Sequence, residues 1–200
     1  VTLEAKGFLK KEITDTLGKF GSILSGHPTI EVPGIEVNTG ALGHGLSIGV
    51  GMALAAKMDK RDYKTFVMMG DGEQGEGSIY EAAMAGHQYK LDNLVAIIDR
   101  NHLQISGNTE DVMAIEDIAA RWTAFGWDVK RMDGDDMEDI MKTFAAIDYT
   151  NHKPHLLISN TTKGKGVSYM ENVAKWHHGM PSEEQYRQAL SEIDERIKNL

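Results

Sequence analysis

Two hundred residues with 41% hydrophobic and 26% charged side chains suit one globular domain with a substantial core. A net charge of −9 excludes general binding to nucleic acid or to an anionic membrane surface, although an anion held locally by backbone amides and a metal stays open. The sequence has no cysteine, hence no disulfide frame and no thiolate chemistry, which fits a reducing cytoplasm; no apolar run reaches the length of a membrane span and no leader pattern opens the chain.

The first thirty residues, punctuated by Gly18, Gly21, Gly26 and Pro28, read as short helical pieces and loop. A glycine-rich loop then leads into a helix over about 44–59. Its small residues, among them Gly45, Gly49, Ala53 and Ala56, permit close packing but need burial to hold the helix. "KTFVMMG" follows as a short buried strand ending at Gly70, with Met68 and Met69 expected in the core. "SIYEAAMAGHQYK" reads as a helix with Ser78 and Glu81 in capping-box spacing, and "LVAIID" as a second apolar strand carrying Ile97 and Ile98.

Downstream, "AIEDIAARWTAFG" predicts a helix closed by Gly126, "WDVKRMD" a strand, "DMEDIMKTFAAID" a helix and "HLLISNT" a strand after Pro154. The tail over 182–200 predicts an amphipathic helix with Pro181 near its start. Helices alternate with strands that are continuous apolar runs. That pattern predicts an α/β fold, a doubly wound and mostly parallel sheet flanked by helices, in a single domain over 1–200.

In such sheets ligands bind outside the carboxyl ends of the strands. Gly70-Asp71-Gly72 and Asn101 fall there, at the ends of successive predicted strands. Asp71 supplies a hard anionic oxygen and Asn101 an amide oxygen, ligands that suit Mg²⁺ or Ca²⁺. The glycines let backbone N–H groups approach a phosphate. The plainer alternative is a strand-to-helix turn at "GDG" and an Asx turn at Asn101. Spacing alone leaves both open.

Five ordered segments add a further signal: "GHP" at 26–28, "GIEVNTGALGHG" at 34–45, "GDGEQGEGSIYEAA", "IDRNHLQISG" and "TTKGKGVSYMENVAKWHHG". Together they resemble transketolases from about Gly26 to the C-terminus, and the GDG-to-Asn101 spacing resembles the thiamine-diphosphate motif. The resemblance implies Asp71, Asn101 and the Leu103 carbonyl as ligands of Mg²⁺ (or Ca²⁺ or Mn²⁺). It implies Gly70, Gly72 and Asn101 at the diphosphate of thiamine diphosphate, and Gly40 and Leu42 at its ring end. Ala41 stands where the family usually has proline. His27 matches a histidine that contacts donor substrate, and one of His177 and His178 matches a histidine near the reacting carbon. Glu76 and Glu81 match subunit-interface acids; read alone, Glu81 is a capping acid and Glu76 a solvated one. Lys163 and Lys165 read as exposed loop cations.

The same resemblance implies what the sequence lacks. Val1 falls after two upstream histidine segments of the family, and Leu200 falls where its first domain ends. The expected protein is therefore the N-terminal subunit of a split, cytoplasmic transketolase. Its C-terminal, pyrimidine-binding partner subunit would supply the cofactor-activating glutamate, in a self-associating heterotetramer acting on sugars or sugar phosphates. The alternatives are a 2-oxoacid dehydrogenase α-like or deoxyxylulose-phosphate synthase-like subunit, or a catalytically silent interaction module with the cofactor fold.

Overall fold

Apolar runs settle as adjacent parallel strands when helices can cover both sheet faces. A computed structural model describes residues 1–199 and has this arrangement. Two compact units follow one another, Val1–Leu42 and Gly43–Leu200. The first contains two one-turn helices, α1 (Thr2–Ala5) and α2 (Lys11–Thr14), joined by turns. Leu3 and Phe8 crowd against Gly34, whose φ of +89° suits glycine alone.

The second unit opens with α3 (His44–Met58) and β1 (Thr65–Gly70), followed by α4 (Gly77–Gln88) and β2 (Leu94–Arg100). A small hairpin, β3 (Leu103–Gln104) and β4 (Gly107–Asn108), leads into α5 (Thr109–Val112) and α6 (Ile118–Ala124). Then come β5 (Asp128–Asp133), α7 (Met137–Ala145), β6 (His155–Asn160) and α8 (Glu183–Lys198). The main sheet has the order β1-β2-β6-β5 with every pairing parallel. Among the described residues no helix is long and apolar enough to cross a membrane.

Alternate residues of the strands build two cores. Val67, Met69, Leu94, Ala96, Ile98, Leu156 and Ile158 pack with Leu46, Val50 and Ala53 of α3, with α4, and with Trp122 and Trp127. Val95 and Leu157 face the other way, toward Met132, Ile147 and the partly buried Ile140 and Phe144. The glycines of α3 have a packing reason: a Cβ on Gly49 would sit 2.4 Å from Val67 Cγ2. The helix lies too near the sheet to carry a side chain at that position.

Two local expectations are corrected. Met68 is 63% exposed rather than core, because β1 is an edge strand and buries alternate residues. Ser78 and Glu81 form no capping box. Glu76 is the N-cap of α4 without a side-chain cap, and the Ser78 hydroxyl donates instead to the Gly43 carbonyl at 3.0 Å. A capping box does form at α8, where Ser182 and Gln185 satisfy each other's backbone N–H. Gly126 closes α6 as expected, in the left-handed region at φ +86°. Leu200, the end of the expected C-terminal helix, lies outside the described residues.

Candidate active site at the strand carboxyl ends

The parallel register sets Gly70 beside Asp99 and Arg100 beside Asn160, so three strands deliver their carboxyl ends to one edge. Asp71, the first residue after β1, is 1% exposed. Its Oδ1 accepts from the Gly72 N–H at 2.7 Å, and its Oδ2 from the His102 N–H at 2.6 Å and Arg100 Nη1 at 3.0 Å. The short helical turn Gly72–Gly75 begins there, with Asp71 as its cap. Gly72 N–H, expected toward a diphosphate, thus serves the Asp71 carboxylate. A Cβ built at Gly70 would meet nothing within 4 Å, so the turn is open at that residue.

Asn101 is 8% exposed and its side chain is held at both ends. Nδ2 donates to Asp99 Oδ2 at 3.0 Å, and Oδ1 accepts from the Leu103 N–H at 3.0 Å. His102, at φ +66°, supplies the left-handed step that turns the chain back and aims its N–H at Asp71. Asp71, Gly72, Asn101 and Leu103 are therefore brought together by β1, β2 and the β3–β4 hairpin.

Arg100 and Glu73 are features that sequence reading passes over. The Arg100 guanidinium is 1% exposed and reaches Asp71, Glu110 and Glu116 at 3.0 Å each, and Thr109 Oγ1 at 2.7 Å. It braces the turn after β1 against the segment after β4. Glu73 ties the loop before α3 to the end of β1: one oxygen accepts from the Gly43 N–H at 2.7 Å, the other from the Gly70 N–H at 3.1 Å. Gly43 has φ +82°, and a Cβ on it would lie 2.5 Å from Ser78 Oγ, so that position requires glycine.

The other expected residues belong to different elements. His27, Gly40 and Leu42 belong to the first unit and are exposed; a Cβ on Gly40 would be 3.1 Å from the His27 ring. Glu76 and Glu81 are exposed at the start of α4. His177 and His178 are exposed neighbours whose rings meet edge to face with centroids 6.0 Å apart. His177 ends a short turn, Ala174–His177, that lies beside β3. Partial desolvation of its ring, with help from Lys163 and His178, lowers its pKa from the usual histidine value and so favours the neutral form.

The Asp71 carboxylate, the Asn101 amide oxygen and the Leu103 carbonyl are hard-oxygen donors of the kind that suits Mg²⁺ or Ca²⁺. Among the described residues no three His, Cys, Asp or Glu side chains form a metal cage. A cation here would need ligand oxygens to complete its shell, as a diphosphate provides.

The family profile described as "Transketolase, thiamine diphosphate binding domain" matches residues 6–193. The chain belongs to the transketolase family. It is 78% identical over 200 residues to one of the subunits of the apulose-4-phosphate transketolase of Phocaeicola vulgatus, covering all of this chain and 71% of that protein. It is 37% identical over 193 residues to the 6-deoxy-6-sulfo-D-fructose transketolase subunit SqwG of a Clostridium species, covering 96% of this chain and 70% of that one. Among solved structures, transketolase from Campylobacter jejuni superposes with a TM-score of 0.85 at 34% identity. That match covers 92% of this chain but only 30% of the transketolase, so the chain spans less than a third of that enzyme. For this transketolase-family domain, the α/β fold with its parallel four-stranded sheet matches its structural relatives.

Proposed function

We propose that this chain is the diphosphate-binding subunit of a two-subunit transketolase that moves a two-carbon ketol unit from a ketose phosphate to an aldose acceptor. The observation that carries the reading is the meeting of Asp71 and Asn101 at adjacent strand ends, in a domain whose family binds thiamine diphosphate.

In this reading Asp71, through the lone pair of Oδ1 that Gly72 N–H leaves unused, would hold a divalent cation together with the Asn101 amide oxygen and the Leu103 carbonyl. Gly70 leaves the backbone open where the diphosphate approaches. Thiamine diphosphate, when bound, supplies the electron sink for cleaving the carbon–carbon bond. The chain's own contribution is to anchor and orient. The neutral His177, or its neighbour His178, accepts a hydrogen bond or proton from a substrate hydroxyl, and His27 contacts the donor sugar. The glutamate that activates the cofactor comes from a pyrimidine-binding partner chain, with Glu76 and Glu81 at the contact between subunits.

Two observations support these finer points. The relatives at 78% and 37% identity are both named as subunits, and both names specify a ketose or ketose phosphate. A cytoplasmic setting is part of the same proposal.

The test is reconstitution. This chain is mixed with a candidate partner subunit, thiamine diphosphate and Mg²⁺, and ketol transfer is followed from several ketose phosphates. Transfer that needs both chains supports the reading. An assembled pair that takes up no cofactor overturns it.

A further inference from the structure

Consecutive residues at the end of β2 point to opposite sides of the sheet, and each meets one of the two side chains among the three ligands assigned above. Arg100 reaches Asp71. Asp99 reaches Asn101, and behind Asp99 stands Thr161, whose hydroxyl donates to Asp99 Oδ1. Thr161 is itself fixed from the neighbouring strand, its N–H donating to the Arg100 carbonyl at 3.2 Å.

A primary amide has two unlike ends, and which one faces a cation decides whether it binds or repels it. Two contacts decide this for Asn101. The Leu103 N–H can be satisfied only by an acceptor, so it selects Oδ1. The Asp99 carboxylate offers acceptors alone, so it selects Nδ2. One lone pair of Oδ1 serves Leu103 and the second remains for a cation. Thr161, by engaging the other Asp99 oxygen, fixes the carboxylate that fixes the amide.

We propose that Asp99 and Thr161 are positioning residues for the divalent-metal and diphosphate site, acting together as an orientation lock on the Asn101 amide. The proposal rests on the functional reading above. A ligand-orienting partner of this kind sustains about 10- to 100-fold of metal affinity.

The experiment titrates Mg²⁺ at fixed thiamine diphosphate into the assembled pair and reads cofactor uptake by calorimetry, beside melting of each metal-free variant. Three variants are compared with the parent: Asp99→Val, Thr161→Val and Asp99→Asn. An asparagine at 99 can still accept from Nδ2 of Asn101 while its own amide donates to the Thr161 hydroxyl, so it preserves the lock without the charge. The expected result is an Mg²⁺ midpoint raised about tenfold or more in both valine variants, with Asp99→Asn near the parent. Midpoints equal to the parent in all three overturn the proposal while leaving the functional reading intact. So does a loss in Asp99→Asn as large as in Asp99→Val, or losses that merely follow the melting temperature. Absence of Mg²⁺-dependent uptake by the parent overturns the functional reading, and the lock with it.

Discussion

The two ends of the main sheet both carry charged clusters, but they are balanced differently. At the amino ends, Asp92 pairs with Lys57 at 2.8 Å and His152 at 3.2 Å, and Asp128 with Lys130 at 2.7 Å and His155 at 3.1 Å. Each acid there has its own lysine. At the carboxyl ends one buried guanidinium is shared by Asp71, Glu110 and Glu116. The first arrangement gives each acid its own cation; in the second, even with Arg131 3.8 Å from Glu116, acids outnumber cations beside an open glycine turn. Under the proposed function a divalent cation would complement such a cluster, and the two ends of the sheet would then divide structural from reactive work.

Substitutions can break this contrast, beginning with the largest effect. Asp71→Ala is expected to weaken Mg²⁺-dependent uptake of thiamine diphosphate by about 100-fold or more, measured by calorimetry, while circular dichroism still reports a folded chain. Arg100 keeps Glu110 and Glu116 in that variant. Arg100→Leu strands a buried carboxylate and is expected to cost about 3–5 kcal/mol in urea unfolding. Adding Asp71→Leu to it should recover part of that loss; no recovery would mean the two side chains are not energetically coupled.

The amino end also answers to pH. Burial alone would raise the pKa of Asp92 and of Asp128, but their lysine and histidine partners outweigh it and hold both below the usual aspartate value. A depressed folded-state pKa contributes stability above the unfolded value, about pH 4, and that stability is lost as pH falls through the folded values. Melting temperature should therefore drop between about pH 4 and pH 2, and Asp128→Asn should flatten part of the drop. His152→Ala should have the smallest effect, no more than about 1 kcal/mol in urea unfolding, because the histidine of that pair is 74% exposed.

Much of this architecture is legible in sequence because the strands are apolar runs set between glycines. "LVAIID" and "HLLISN" could be little else, and Gly70-Asp71-Gly72 and Asn101 follow strand ends by inspection. What escapes is whatever depends on neighbours distant in sequence. Met68 reads as core until β1 proves to be an edge. Ser78 reads as half of a capping box until the Gly43 carbonyl takes its hydroxyl. Arg100 draws no reading from sequence, since nothing local announces that Glu110, Glu116 and Asp71 converge on it. The Asp99–Thr161 contact joins β2 to the residue after β6 and has no signature in spacing.

The all-parallel pairing bears on how this chain acquires its site in time. No two adjacent strands of the main sheet are joined by a tight turn: Thr65 pairs with Leu94, Asp128 with His155, and Val95 with His155 across much of the chain. Pairings this remote close large loops before any contact repays them, which slows folding. Asp99 and Arg100 end the strand that requires both of its neighbours, and Asn101 follows it. On the proposed lock, Asp99 meets Thr161 only once β6 has paired with β2, so the full set of contacts behind Asn101 needs strands remote in sequence. Cofactor capture would then report a finished chain rather than guide an unfinished one.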